Sequence, residues 1–199
     1  MTIANYTDLQ TAVQNWLVRT DLTTIPDFIT LFEAAANRRL RVRQQEAIAS
    51  LTPSAGTAAL PADYLAWRRL TWTGSPRREL SYVEPSYLQA AFPTNPADTP
   101  EYFTIEGGDV LIRPLDGTAL EFLYYQKIPA LSTNSTNWLL SAHPDLYLFG
   151  ALAESYGFTV DPEKLALWKM RRDELFDEIV SLSNKTRGAG YIRTDGPTP

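Results

Sequence analysis

The sequence has no cysteine and one histidine, His143, in 199 residues. Without thiols there is no disulfide framework and no thiolate metal site. A lone imidazole supplies too few nitrogen ligands for a structural zinc site. No stretch reaches the ~18 consecutive apolar residues of a membrane span. The opening MTIANYTDLQ has neither the basic start nor the apolar core of a secretory signal. A soluble protein made in a cytoplasm, with no membrane partner, is the expectation. No Walker loop or dinucleotide fingerprint is present, and no acids fall at EF-hand spacing. Cofactors, metals and enzymatic activity are therefore not expected. An excess of positive charge is missing too. Eighteen Lys and Arg against 23 Asp and Glu leave a formal charge of −5. Electrostatics thus give no general reason to grip nucleic acid, and only local basic patches remain to be weighed.

What is present is an ordinary globular composition, with 44% hydrophobic and 21% charged residues. The length suffices for one large domain or two small ones with a real core. Five Trp, ten Tyr and eight Phe are available for cores and for large interfaces, which both use aromatic anchors.

The segment Asn137–Phe158 organises the rest. From Pro144 onward its apolar residues, Leu146 to Phe149 and Ala151 to Ala153, go all the way round a helix. Such a helix is covered on every side. Pro144 suits the first helical position, Asp145 faces the positive end of the dipole, and Gly157 is placed to end the helix. Ser141, His143 and Asp145 carry the residue types of a catalytic triad. Crowded into five positions around a proline, they read instead as local capping.

Upstream, Thr7-Asp8-Leu9-Gln10 has the form of a capping box before a helix whose face is Leu9, Val13, Trp16 and Leu17. Thr24-Ile25-Pro26-Asp27 opens a second helix with a stripe of Phe28, Leu31, Phe32, Ala35 and Leu40. The period then shifts toward two, and frequent prolines exclude long helices. Residues 64–73 read as a strand and Glu79–Val83 as its return. Ser86–Ala91 reads as a short helix. Tyr102–Glu106 and Asp109–Arg113 flank Gly107-Gly108 as a hairpin, and Ala119–Lys127 is expected as the third strand of that meander. Asp161 and Pro162 begin a last helix with a seam of Leu165, Trp168, Leu175, Ile179 and Leu182, interrupted by Arg172. The fold class expected is α+β. Residues 1–48 and 132–185 form one helical domain, residues 49–131 an inserted β-rich domain of barrel or sandwich type, and residues 186–199 a flexible tail.

Three groups are candidate contact sites. Arg38, Arg39, Arg41 and Arg43 read either as a solvated helix end partly paired with Glu33, or as a subunit or channel contact to acidic groups or DNA phosphates. Trp168, Leu175 and Ile179 are placed for helix packing. Lys185, Arg187, Tyr191, Ile192 and Arg193 form a tail with one apolar anchor, able to fold onto a partner. Arg68, Arg69, Arg77 and Arg78 read as edge-strand cations. Trp67, Trp72, Tyr82 and Tyr87 read as core and cross-strand pairs rather than as a sugar platform.

Several stretches in matching order resemble the head–tail adaptor (connector) proteins of tailed bacteriophages, the class that includes tail tubular protein A. They are Glu33 with Asn37–Val42, Leu60–Leu65, Pro100–Ile105, Leu123–Leu131, Asn137–Leu140, His143–Tyr147 and Gly150–Glu154. The resemblance spans roughly residues 5–185. It implies a non-enzymatic virion protein at the head–tail junction, assembled in the host cytoplasm as a ring typically of twelve subunits. It also implies a portal protein above, a tail nozzle or tail-tube protein below, and double-stranded DNA passing without specific binding. In these proteins the chain end reaches toward the portal, which implies that role for the tail residues. A neck or tail-completion protein, or a cellular carbohydrate- or peptide-binding module, are the alternative readings.

Overall fold

The computed structural model describes residues 2–18, 23–94 and 96–186. The fold is α+β, with six helices and eight strands in two sheets among the described residues. Helices occupy both ends of the sequence and strands its middle. The chain forms two compact units, one from residues 1–44 and the segment from 128 onward, the other from residues 45–127.

The helical unit starts with α1 (Tyr6–Leu17). Its N-cap is Asn5, not Thr7: Asn5 Oδ1 accepts the Asp8 N–H at 2.9 Å, and Asp8 Oδ2 accepts the Ala4 N–H at 3.1 Å. Extended backbone at Asn5 lets this reciprocal cap form two positions earlier than expected. Thr7 is already helical. α2 (Ile25–Arg39) buries Ile25, Phe28, Ile29, Phe32 and Ala36. Leu31, expected on that stripe, is 54% exposed, because the buried arc is centred on Ile29 and Phe32.

Asn137 caps the short α4 (Trp138–Ala142), its Oδ1 accepting the Leu140 N–H at 2.8 Å. α5 (Pro144–Phe158) is buried all round, as its lack of a polar face requires. Leu146, Tyr147, Ala151, Leu152 and Ala153 are fully enclosed by α1, α2, α4 and α6 (Pro162–Thr186) in one core. Gly157 does not end the helix. The left-handed residue is Val160, and the Asp161 N–H closes onto the Tyr156 carbonyl at 3.2 Å. That six-residue closure is a Schellman turn, which fixes the link to α6 despite a β-branched residue at its strained position. Asp161 then caps α6, accepting the Lys164 N–H at 3.1 Å.

The inward line of α6 ends on Phe176, Ile179 and Ser183. Leu182, expected in the seam, is half-exposed, since a 3.6-residue period drifts off a strict three–four spacing. Arg172 fills the gap in the seam and reaches Glu154 at 3.4 Å.

The β unit is a pair of four-stranded sheets. The first has the order β1 (Glu46–Leu51), β8 (Leu120–Gln126), β3 (Tyr64–Trp72), β4 (Arg78–Glu79). The second has the order β2 (Thr57–Ala59), β7 (Asp109–Arg113), β6 (Tyr102–Glu106), β5 (Ser81–Tyr82). One core draws Leu70, Phe122 and Tyr124 from the first sheet and Phe103, Val110 and Ile112 from the second, which makes a sandwich. The β6–β7 hairpin turns at Gly107-Gly108, both with positive φ.

Two expectations fail. β8 does not continue that hairpin: it crosses to the other sheet and pairs antiparallel with β1 and β3. The segment 79–83 splits at buried Leu80 into β4 on one sheet and β5 on the other, and β5 runs parallel to β6. A short helix, α3 (Pro85–Ala91), follows β5 and closes on Leu88.

Candidate interaction surfaces

The arginine group at the end of α2 divides in two. Arg39 is committed inside the unit: its guanidinium meets Asp173 and Asp177 of α6 at 2.7 Å each and lies 4.8 Å from the centre of the Phe176 ring. Arg41 donates to the Asn37 carbonyl at 2.7 Å, satisfying the C-terminus of α2. Arg38 and Arg43 are exposed. Only these two present a charge outward in the manner a subunit or channel contact requires.

Glu33 is not the partner of these arginines. It is buried, accepting the Leu131 N–H at 2.9 Å and the Tyr147 hydroxyl at 3.2 Å. Asn137 Nδ2 in turn donates to Tyr147 Oη at 2.6 Å and to the Pro129 carbonyl at 2.8 Å. One turn further along α2, Asn37 Oδ1 accepts the Ile128 N–H at 2.8 Å. Two polar side chains of α2 thus hold the segment 128–131 by its backbone. Burial pushes the Glu33 carboxyl above its ordinary range, against the two hydrogen bonds that lower it. Burial also raises the Tyr147 hydroxyl. The sequence signal for this network was Glu33 beside Phe32, on the buried side of α2.

Trp168, Leu175 and Ile179 all pack within the helical unit. Trp168 meets Trp16 of α1 at 5.4 Å and Phe149 of α5 at 5.3 Å between ring centres, and Ile179 is buried. Ser141, His143 and Asp145 are not joined by hydrogen bonds among the described residues. The Ser141 hydroxyl donates to the Asn137 carbonyl at 3.0 Å, and Asp145 accepts the Leu146 N–H at 2.9 Å. In the β unit, Arg69 and Arg77 pair with Glu121, Arg68 with Glu46 and Arg78 with Glu101. Trp67 and Tyr82 stack on one another at 5.3 Å. Each ring therefore uses one face internally.

Lys185 is the end of α6 rather than part of a tail. Arg187, Tyr191, Ile192 and Arg193 lie outside the described residues. Near that helix end is a cleft of about 460 Å³, lined by Arg43, Gln44, His143, Ile179, Leu182 and Ser183. The helical unit also exposes large apolar groups: Trp16, Val18, Leu31, Phe158 and Val160. Among the described residues no cluster of acids and His could hold a metal ion, and no helix is long and apolar enough to cross a membrane.

Comparison with known families gives these surfaces a context. The model of the SU10 adaptor protein family matches residues 4–195. The chain belongs to the SU10 adaptor protein family. That is a phage head–tail adaptor family, so this adaptor is a structural phage protein, associated with portal and tail proteins at the head–tail junction of the virion. Membership points away from an enzyme. A search of curated proteins found no match.

Proposed function

We propose that the chain forms a ring, of twelve subunits, seated between the portal and the nozzle or tail-tube protein. The ring assembles in the host cytoplasm, completes the head after DNA packaging and leaves a central channel through which DNA is ejected. The family match over residues 4–195 carries this reading. The apolar groups that the helical unit exposes support it, because side chains such as Phe158 and Leu31 gain from burial against a neighbouring subunit. The formal charge of −5 suits a conduit whose wall should not hold phosphates. Arg38 and Arg43 are assigned to subunit or channel contacts. Lys185 at the end of α6 and the tail residues Arg187, Tyr191, Ile192 and Arg193 are assigned to portal docking. Trp168, Leu175 and Ile179 hold the bundle that presents these groups. The helical bundle, the β insert and the tail act as separate parts of the subunit.

Negative-stain microscopy of the purified chain, alone and mixed with portal rings of its own phage, tests the reading. A second ring stacked on the portal is the expected result and gives the stoichiometry by direct count. A stable monomer in light scattering, with no added density on the portal, refutes it.

A further inference from the structure

The turn between α5 and α6 holds two apolar side chains out in water. Phe158 is 61% exposed and Val160 is 83% exposed. Neither is free to fold inward. Phe158 rests against Phe28, at 5.6 Å between ring centres. Val160 is fixed by its left-handed backbone in the closed turn. A β-branched residue is strained there, and strain kept at an exposed position points to use of that surface. Glu163 follows in the first turn of α6, exposed and with no ion pair among the described residues. The other end of the same hairpin is hollow. About 21 Å back along α5, near its start, lies the cleft of about 460 Å³. Buried Ile179 and half-exposed Leu182 give it an apolar lining, and Arg43 and His143 bring nitrogen donors from other segments. Ser183 Oγ accepts the Arg43 N–H at 3.3 Å, which fixes that residue against α6. Arg43 itself is exposed, again with no ion pair among the described residues.

We propose that the α5–α6 turn of one copy inserts Phe158 and Val160 into this cleft on a second copy of the chain, with Glu163 meeting Arg43. The inference rests on the ring reading and names the contact that builds the ring. The occupant is a second copy because the two surfaces match in chemistry. An acid flanks the apolar knob, and arginine and histidine flank the apolar hollow. Knob and hollow stand at opposite ends of one hairpin, so every copy offers both. Such a contact is heterologous: one surface of a copy meets a different surface of the next, and repetition gives a ring where the rotation closes. Two side chains bury far less than the roughly 1,600 Å² of a standard interface. The single contact is therefore weak, and ring closure or a portal template multiplies it. The strain at Val160 then has a use, since a rigid turn holds its apolar groups ready for the cleft at little further cost in entropy.

The absence of cysteine makes a direct test clean. The full chain carrying V160C and L182C is oxidised mildly. Pro162 to Leu182 spans about 30 Å of helix, so the two thiols cannot join within one chain. The expected product is a ladder of disulfide-linked multimers that extends past the dimer. A dimer band alone means a two-fold contact and overturns the proposal, as does a chain that stays reduced. The control pair V160C and E174C, whose second thiol is exposed but outside the cleft, gives the yield of chance collisions. An equal yield from both pairs overturns the contact. The charges are tested by mixing the single variants V160C and L182C. Adding R43E to the L182C chain lowers the disulfide yield several-fold, and adding E163R to the V160C chain restores it. A yield indifferent to both changes overturns the pairing. Val160→Gly separates contact from folding: it raises the thermal midpoint of the monomer, yet about tenfold more protein is needed to cover portal rings. Unchanged coverage overturns the proposal. A ring on the portal without the ladder keeps the ring reading and removes this contact. A ladder that runs on into open filaments, with no ring on the portal, does the reverse.

Discussion

Gly150 gives the sharpest test of the packing. It sits in α5 directly against the ring of Phe32, and a Cβ added there overlaps three atoms of that ring. Phe32 has no room to retreat: it is fully buried, with Tyr147 at 5.0 Å and Phe176 stacked at 6.1 Å between ring centres. Two opposing effects set the outcome of Gly150→Ala. Alanine in a helix interior is favoured over glycine by about 1 kcal/mol. Overpacking a closed core costs about 1–3 kcal/mol, and an aromatic ring wedged between two others places this site at the upper end. The net expectation is a loss of about 1–2 kcal/mol. Urea unfolding should be followed by helical circular dichroism, since the two units need not unfold together. The double variant Gly150→Ala with Phe32→Leu frees space and should recover part of the loss. Were Gly150→Ala alone to raise stability, helix propensity would have outweighed contact, and the close approach of α2 and α5 would be wrong.

Glu33 sets a pH dependence. Its proton is held to higher pH in the folded chain than in the unfolded one, so stability falls as pH rises from about 4.5 through the raised folded value. Glu33→Gln keeps an oxygen for Leu131 and Tyr147 and should remove that slope, read from urea midpoints between about pH 4.5 and pH 8. Arg39→Ala breaks two half-exposed ion pairs and a cation–π contact. The expected loss is about 1 kcal/mol, shrinking in high salt, and a loss that ignores salt would leave only the packing on Phe176 as its source. Val160→Gly relieves a left-handed β-branched residue in the α5–α6 turn and should stabilise by about 0.5–1 kcal/mol, measured as a raised thermal midpoint.

The parts of the fold written in local chemistry were legible. α5 was, because a helix with no polar face has only one solution. The β6–β7 hairpin was, because Gly107-Gly108 specifies the turn and fixes the register. Non-local choices were not. Nothing in residues 119–127 says that Phe122 and Tyr124 cross to β1 and β3 instead of staying beside β7. The bounds of the caps also escaped: Asn5 and Thr7 are both good caps, and only the reciprocal bond from Asp8 decides between them. At the candidate surfaces, four arginines in six positions looked like one patch. The structure separates them because α2 turns Arg39 toward α6 while Arg41 folds back on its own helix end. Glu33 was read as a solvated partner because charge suggests exposure, whereas its neighbours on the helix place it inside.

The pairing of β1 with β8 sets Glu46 opposite Tyr125, so the first and last strands of the 45–127 unit are partners. The chain therefore departs for its β excursion and comes back at adjacent points, and Asn37 and Glu33 fasten the returning backbone to α2 independently of what lies between. Such a layout makes the sandwich an exchangeable cassette. It can lengthen, shrink or be replaced in one genetic step while the bundle keeps its core.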